Sequence, residues 1–108
     1  SHTMQTHNTD TMTRVTEKTL EAKLLTEIKK RGGVCVKFVS PGNNGVPDRK
    51  ILMPGGRIWY AEIKGPHILE LEGLQLYWQK TLRRLGFKHY LINSEESLNK
   101  LLNEVDTL

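Results

Sequence analysis

The spacing of hydrophobic residues changes several times along the chain, and each change marks an element. From about Val15 to Arg31 apolar residues recur at helical intervals, at Leu20, Leu24, Leu25 and Ile28, and Gly32-Gly33 ends the run. Val34 to Val39 reads as a first strand, with Val34, Val36 and Phe38 on one face. Ser40 to Pro47 has the composition of a loop. Asp48 to Met53 and Arg57 to Lys64 are two more strands, joined by Pro54-Gly55-Gly56, and so short a connection makes an antiparallel hairpin. Gly65 to Glu72 is a connecting segment. Helical spacing returns at Leu71, Leu74, Trp78, Leu82 and Leu85, and Gly86 closes that helix. Lys88 to Ile92 is a short strand. Ser94 then caps a last helix with Glu95 and Glu96 in its first turn and a stripe of Leu98, Leu101, Leu102 and Val105.

Several polar residues sit awkwardly in this pattern. Strand side chains alternate between faces, so Glu62 and Lys64 emerge on one side of the third strand, and Trp59, Ala61 and Ile63 on the other. In an antiparallel hairpin the start of one strand faces the end of the next, which brings Asp48 opposite the Glu62–Lys64 region. Two carboxylates about 4 Å apart repel by about 4 kcal/mol at an effective dielectric of ~20, so a proton, a cation or a metal must offset them. Lys64 and a magnesium ion are both candidates. A salt-bridged strand end fits the same residues equally well. Glu21 lies on or beside the apolar stripe of the first helix, where a carboxylate needs a cation, a metal or water to offset its desolvation. Periodicity alone slightly favours a stripe-edge glutamate that reaches solvent. Gln75 borders the packed face of the second helix, where it could position water or phosphate or simply be solvated. Lys80, Arg83 and Arg84 fall on or near the opposite side and read as a wet face rather than a DNA patch.

Composition narrows the classes. A chain of 108 residues, 26% charged and 37% hydrophobic, suits one globular domain, and no apolar run approaches the roughly 18 residues of a membrane span. We place that domain at residues 14–108. Residues 1–13 are polar, have no apolar core of a signal peptide, and read as a disordered leader; Ser1-His2-Thr3-Met4 has the look of a cloning remnant. The single Cys35 cannot form an internal disulfide, and a reducing cytoplasm, in a bacterial cell or a phage-infected host, is the simplest compartment. Sixteen basic residues against 12 acidic ones give a net charge of +4, which permits a polyanionic partner without requiring one. The loop carries no phosphate-binding GxxxxGK[ST] or GxGxxG pattern. His67 and His89 lack metal-ligand spacing with each other and with Cys35, against a zinc site.

The order of these features resembles the VRR-NUC family of the PD-(D/E)XK nuclease superfamily. The matching residues are Glu21 on the first helix, Gly45-Val46-Pro47-Asp48, Glu62-Ile63-Lys64, Leu74-Gln75 opening the next helix and Leu85-Gly86-Phe87 closing it. The likeness covers roughly Glu17 to Ser94. One departure is Gly73, where relatives often have a small hydroxyl residue.

The resemblance implies an α/β fold, a small mixed β-sheet flanked by helices in the restriction-endonuclease-like order α-β-β-β-α-β-α. It implies a metal-dependent, structure-specific DNA endonuclease of the phage and bacterial stand-alone type, similar to Holliday-junction resolvases and acting as a homodimer on branched DNA, with no membrane partner. Asp48, Glu62 and the Ile63 carbonyl would bind Mg²⁺ or Mn²⁺ through hard oxygens. The metal would activate water and withdraw charge from the phosphate. Lys64 would orient that water or stabilise charge, Glu21 would complete the outer shell, and Gln75 would hold Lys64, water or phosphate. Trp59, Tyr60 and Tyr77 are candidate interface anchors; the alternative is a small core that uses both faces of its sheet. Two other functions fit the same residues: a flap- or end-directed exonuclease, and a non-catalytic nucleic-acid-binding module.

Overall fold

The computed structural model of the chain describes residues 15–107. The leader assigned above to residues 1–13, with His2 and His7, lies outside the described residues. The elements follow the expected order: α1 (Glu17–Lys30), β1 (Val34–Lys37), β2 (Arg49–Met53), β3 (Arg57–Ile63), α2 (Gly73–Arg84), β4 (Lys88–Ile92) and α3 (Glu95–Thr107). The strands form one mixed sheet in the order β1-β2-β3-β4. β1 and β3 are antiparallel to β2, and β4 is parallel to β3, joined to it through α2. A parallel neighbour requires such a crossover, and a helix is the usual one.

Local chemistry sets the helix ends. Thr16 and Thr19 cap α1 reciprocally: the Thr19 amide donates to Thr16 Oγ1 at 3.1 Å and the Thr16 amide to Thr19 Oγ1 at 2.9 Å. Ser94 and Ser97 do the same for α3, each amide donating to the other's hydroxyl at 3.1 Å. α2 has no such cap. Glu72 precedes it without a side-chain hydrogen bond, and the helix begins at Gly73 rather than at Leu71, which is buried in the preceding loop instead.

One face of the sheet carries the main core. Leu20, Leu24 and Ile28 of α1 and Leu98, Leu101, Leu102 and Val105 of α3 pack there on Ile51, Met53, Trp59, Ala61, Ile63 and Ile92. Removing these side chains from water is the principal stabilising term. The other face is covered only in part. α2 lies against β4 and leaves β1 and β2 open. Val34 is therefore 56% exposed, Val36 37% and Leu52 37%. Phe38 lies beyond the end of β1, against the Tyr60 ring at 5.5 Å, and Phe87 meets Tyr60 edge-on at 5.6 Å.

Trp59 and Tyr60 are both buried, one on each face of β3. They are not free interface anchors; the core that uses both faces of its sheet consumes them, and only Tyr77 of the three stays exposed.

The loop before β2 is fixed from the same side. Gly45, at φ +86°, passes so close to α2 that a Cβ there would lie 2.5 Å from Leu74 Cβ and 3.0 Å from the Gln75 nitrogen. Trp78 Nε1 donates to the Asn44 carbonyl at 3.0 Å and ties the loop to the helix a turn later. Gly45→Ala should therefore lower stability by roughly 2–4 kcal/mol, through backbone strain and overpacking together. Gly42, at φ +84° with nothing within 4 Å, supplies the control. Gly42→Ala should cost only about 1 kcal/mol of strain. Urea unfolding of the two variants separates the packing term from the strain term.

Candidate active site

The site forms where β2 begins and β3 ends. Arg49 pairs with Ala61, so the next position of the ladder sets Asp48 opposite Glu62, on the face that α2 covers. Asp48 Oδ2 accepts the Ile63 amide at 3.1 Å, which ties the first carboxylate to the strand that bears the second. Asp48 is exposed, whereas Glu62 is only 1% exposed. Gln75 Nε2, in the first turn of α2, donates to Glu62 Oε2 at 2.9 Å, and Lys64 Nζ approaches the same oxygen at 3.6 Å. Glu62 Oε1 is buried and has no hydrogen-bond partner among the described residues. A buried acceptor without a donor is costly, and binding either a proton or a cation relieves that cost.

The structure thus brings Asp48, Glu62, Ile63, Lys64 and Gln75 together. Gln75 reaches the pair through Glu62. Glu21 is held elsewhere: its Oε2 accepts from Arg49 at 2.8 Å and 3.0 Å, through Nη2 and Nε. Of the offsets available to a carboxylate beside an apolar stripe, the structure uses a cation. Among the described residues no group of three or more His, Cys, Asp or Glu side chains is arranged to hold a metal ion. Two carboxylates, one of them with an orphaned oxygen, nevertheless fit a hard divalent cation that takes its remaining ligands from water and substrate, as magnesium commonly does.

Sequence reasoning missed Arg49 and Lys50. Arg49 is buried on the core face directly after Asp48. Its signal was present: a cation on an inward strand position and a carboxylate beside an inward helix stripe each lack a partner until they are matched. Lys50 points to the Asp48–Glu62 face and lies 5.0 Å from the centroid of Phe38 and 5.8 Å from that of Tyr60. That contact with two ring faces depends on tertiary packing. His89 is buried on β4, and burial, with the nearby Arg83 charge, pushes its imidazole down to about 4, so it is neutral at physiological pH.

Two cavities flank the pair of carboxylates. One of about 360 Å³ is bordered by Lys64, His67, Glu72 and Gln75, and one of about 310 Å³ by Glu21, Phe38, Asp48 and Arg49. Glu17 borders both. A cavity of about 520 Å³ lies elsewhere, around Arg83, Lys88 and His89 at the opposite end of β4.

The α/β fold described above is shared with a known domain. A solved structure described as "VRR_NUC domain" superposes on it with a TM-score of 0.75 at 23% identity, over 82% of this chain and 97% of that one. The chain is also 46% identical over 55 residues to "Putative nuclease p44" of Acyrthosiphon pisum secondary endosymbiont phage 1, a match that covers 51% of this chain. It spans 59% of the length of that curated relative. No protein-family model matches the sequence. Among the described residues no helix is long and apolar enough to cross a membrane.

Burial, and after it the Asp48 charge, push the Glu62 carboxyl from its ordinary 4.5 up to about 7, against the pull of Lys64. The folded chain therefore binds this proton more tightly than the unfolded chain. Stability should fall as pH rises from about 4.5 to about 7, with the cost absent below that window and complete above it. At 1.36 kcal/mol per pH unit the cost is roughly 3 kcal/mol. In EDTA, urea unfolding of Glu62→Gln against the parent should give a stability gain that grows by about this amount between pH 5 and pH 8. Adding Mg²⁺ at pH 8 should stabilise the parent and not the variant. A pH-independent difference would remove the buried charge from the account.

Proposed function

We propose that this chain is a metal-dependent deoxyribonuclease that hydrolyses phosphodiester bonds. The observation that carries the proposal is the orphaned Oε1 of Glu62, beside Asp48 and with Lys64 at its other oxygen. A surface that merely binds a polyanion has no use for two carboxylates at its centre, which disfavours a non-catalytic binding module. The fold of a VRR-NUC domain and the nuclease name of the phage relative support the same function.

Each residue then has a role set by its contacts. Asp48 and Glu62, with the Ile63 carbonyl, would hold Mg²⁺ or Mn²⁺. When bound, the ion supplies Lewis-acid stabilisation to the charge that develops on the scissile phosphate. Gln75 occupies Glu62 Oε2 and so leaves Oε1 for the ion. Lys64, a pure hydrogen-bond donor, orients the attacking water or stabilises negative charge on the phosphate. Glu21 holds through Oε2 the guanidinium that follows Asp48, and its Oε1 is the oxygen that would serve the outer shell. Asp48→Asn, Glu62→Gln and Lys64→Ala should each lower cleavage of end-labelled linear, flapped and four-way DNA by about 100-fold or more. Cleavage near the parent level by a verified Asp48→Asn preparation would sink the assignment.

The proposal extends to branched DNA cut by a homodimer. Resolving a four-way junction takes incision of two strands, and one Glu62-centred site cuts one, so two sites about a twofold axis are the simplest arrangement. The exposed Val34, Val36 and Leu52 offer apolar surface for such an association. Light scattering at micromolar concentration should give about twice the chain mass, and a heterodimer with one Lys64→Ala subunit should nick without resolving. A species that is monomeric both free and on junction DNA would leave a flap- or end-directed nuclease as the better description.

A further inference from the structure

The three helices differ sharply in charge. α1 and α3 mix signs and share ion pairs, with Lys23 on Glu95 at 3.2 Å, and Arg31 after α1 on Asp106 at 2.7 Å. α2 carries Lys80, Arg83 and Arg84 and no acidic residue. Arg83 is occupied: its Nη2 donates to the His89 carbonyl at 2.9 Å and pins the end of the helix to β4. Lys80 and Arg84 enter no ion pair among the described residues.

Their positions are ordered. Tyr77, Lys80 and Arg84 recur at helical spacing on the face of α2 turned away from the sheet, and all three are exposed. Tyr77 is 57% exposed although its ring is backed edge-on by Trp78 at 5.6 Å. Trp78 is itself tied to the Asn44 carbonyl at 3.0 Å, so the tyrosine is presented on a fixed support. Along the axis the stripe begins level with Gln75, which touches Glu62 from the opposite side of the helix, and ends beside Arg83, which touches the start of β4. At 1.5 Å per residue Gln75 and Arg84 are about 14 Å apart along the axis. That is about four nucleotides of a DNA strand at 3.4 Å each.

We propose that this face of α2 is a contact surface for the backbone of DNA that extends past the catalytic pair and over the helix, with Lys80 and Arg84 on separate phosphates and Tyr77 against a sugar or base. It rests on the nuclease reading for its ligand, DNA. The charge is complementary to a polyanion and to nothing else the helix meets in its own fold. The other occupant with matching charge is the acidic α3 of a second copy, which carries Glu95, Glu96, Glu104 and Asp106.

The test is made on the full chain. Fluorescence anisotropy with a labelled duplex and a four-way junction, in EDTA and over a range of KCl, gives the slope of log affinity against log salt. Lys80→Ala/Arg84→Ala should reduce the magnitude of that slope by about 2, one phosphate per lost cation. Tyr77→Ala should weaken binding with the slope unchanged. Lys100→Ala on α3, as an exposed control, should change neither. With Mg²⁺, the double variant should raise KM and leave kcat near the parent value. An unchanged slope in a folded double variant overturns the contact surface, as does a parent protein that binds no DNA. A change in oligomeric mass in place of the slope change also overturns it and assigns the face to a second copy. Loss of the nuclease reading has a separate signature, an absence of cleavage by the parent protein while the slope effect persists.

Discussion

A carboxylate buried to 1% exposure with one oxygen left without a partner is the constraint on which the arrangement of this molecule depends. Glu62 is kept there by covalent attachment to a strand whose neighbouring residues, Ala61 and Ile63, belong to the core of the opposite face. The fold cannot release Glu62 to solvent without withdrawing those side chains. It stabilises the carboxylate partially, with an amide donor from Gln75 and an ammonium from Lys64 on the same oxygen. The other oxygen is buried without a donor, and burial together with the nearby Asp48 charge opposes ionisation, so the carboxyl keeps its proton up to about 7.

Every covering element on that face helps to hold this arrangement. α2 enters over the end of β3, so Gln75 meets Glu62, and the close passage of Gly45 beneath Leu74 and Gln75 locks the loop that delivers Asp48. The helix that fixes the site is therefore also the helix that seats its own preceding loop. On the opposite face the Arg49–Glu21 pair anchors the start of β2 to α1, one residue from Asp48. Arg49 is the buried member of this pair, so a register that separated the two would leave its guanidinium in the core without a counter-charge.

The distribution of charge separates the faces. α1 and α3 share ion pairs across the side that holds the core, whereas Lys80 and Arg84 of α2 enter none among the described residues. A net charge of +4 is thus not spread evenly over the surface. The same chain also leaves apolar side chains of β1 and β2 open, because one short helix over β4 cannot cover four strands.

The sequence by itself determined the order and kind of all seven elements, the hairpin, and with it the opposition of Asp48 and Glu62. These follow from period and turn length, which are local properties of the chain. It set Glu21 on or beside the apolar stripe of the first helix, with solvent slightly favoured over a cation or a metal as what offsets its charge. Tertiary structure alone decided which partner: Arg49 is 28 positions away, and the pair forms only once β2 packs under α1. The same holds for Gln75 on Glu62, for Lys50 over two aromatic rings, and for the burial of Trp59 and Tyr60 on opposite faces. The exposure of Val34 and Val36 on β1 is likewise a tertiary outcome. Alternation shows that two faces differ, but whether an apolar face is covered depends on how far a helix elsewhere in the chain extends across the sheet.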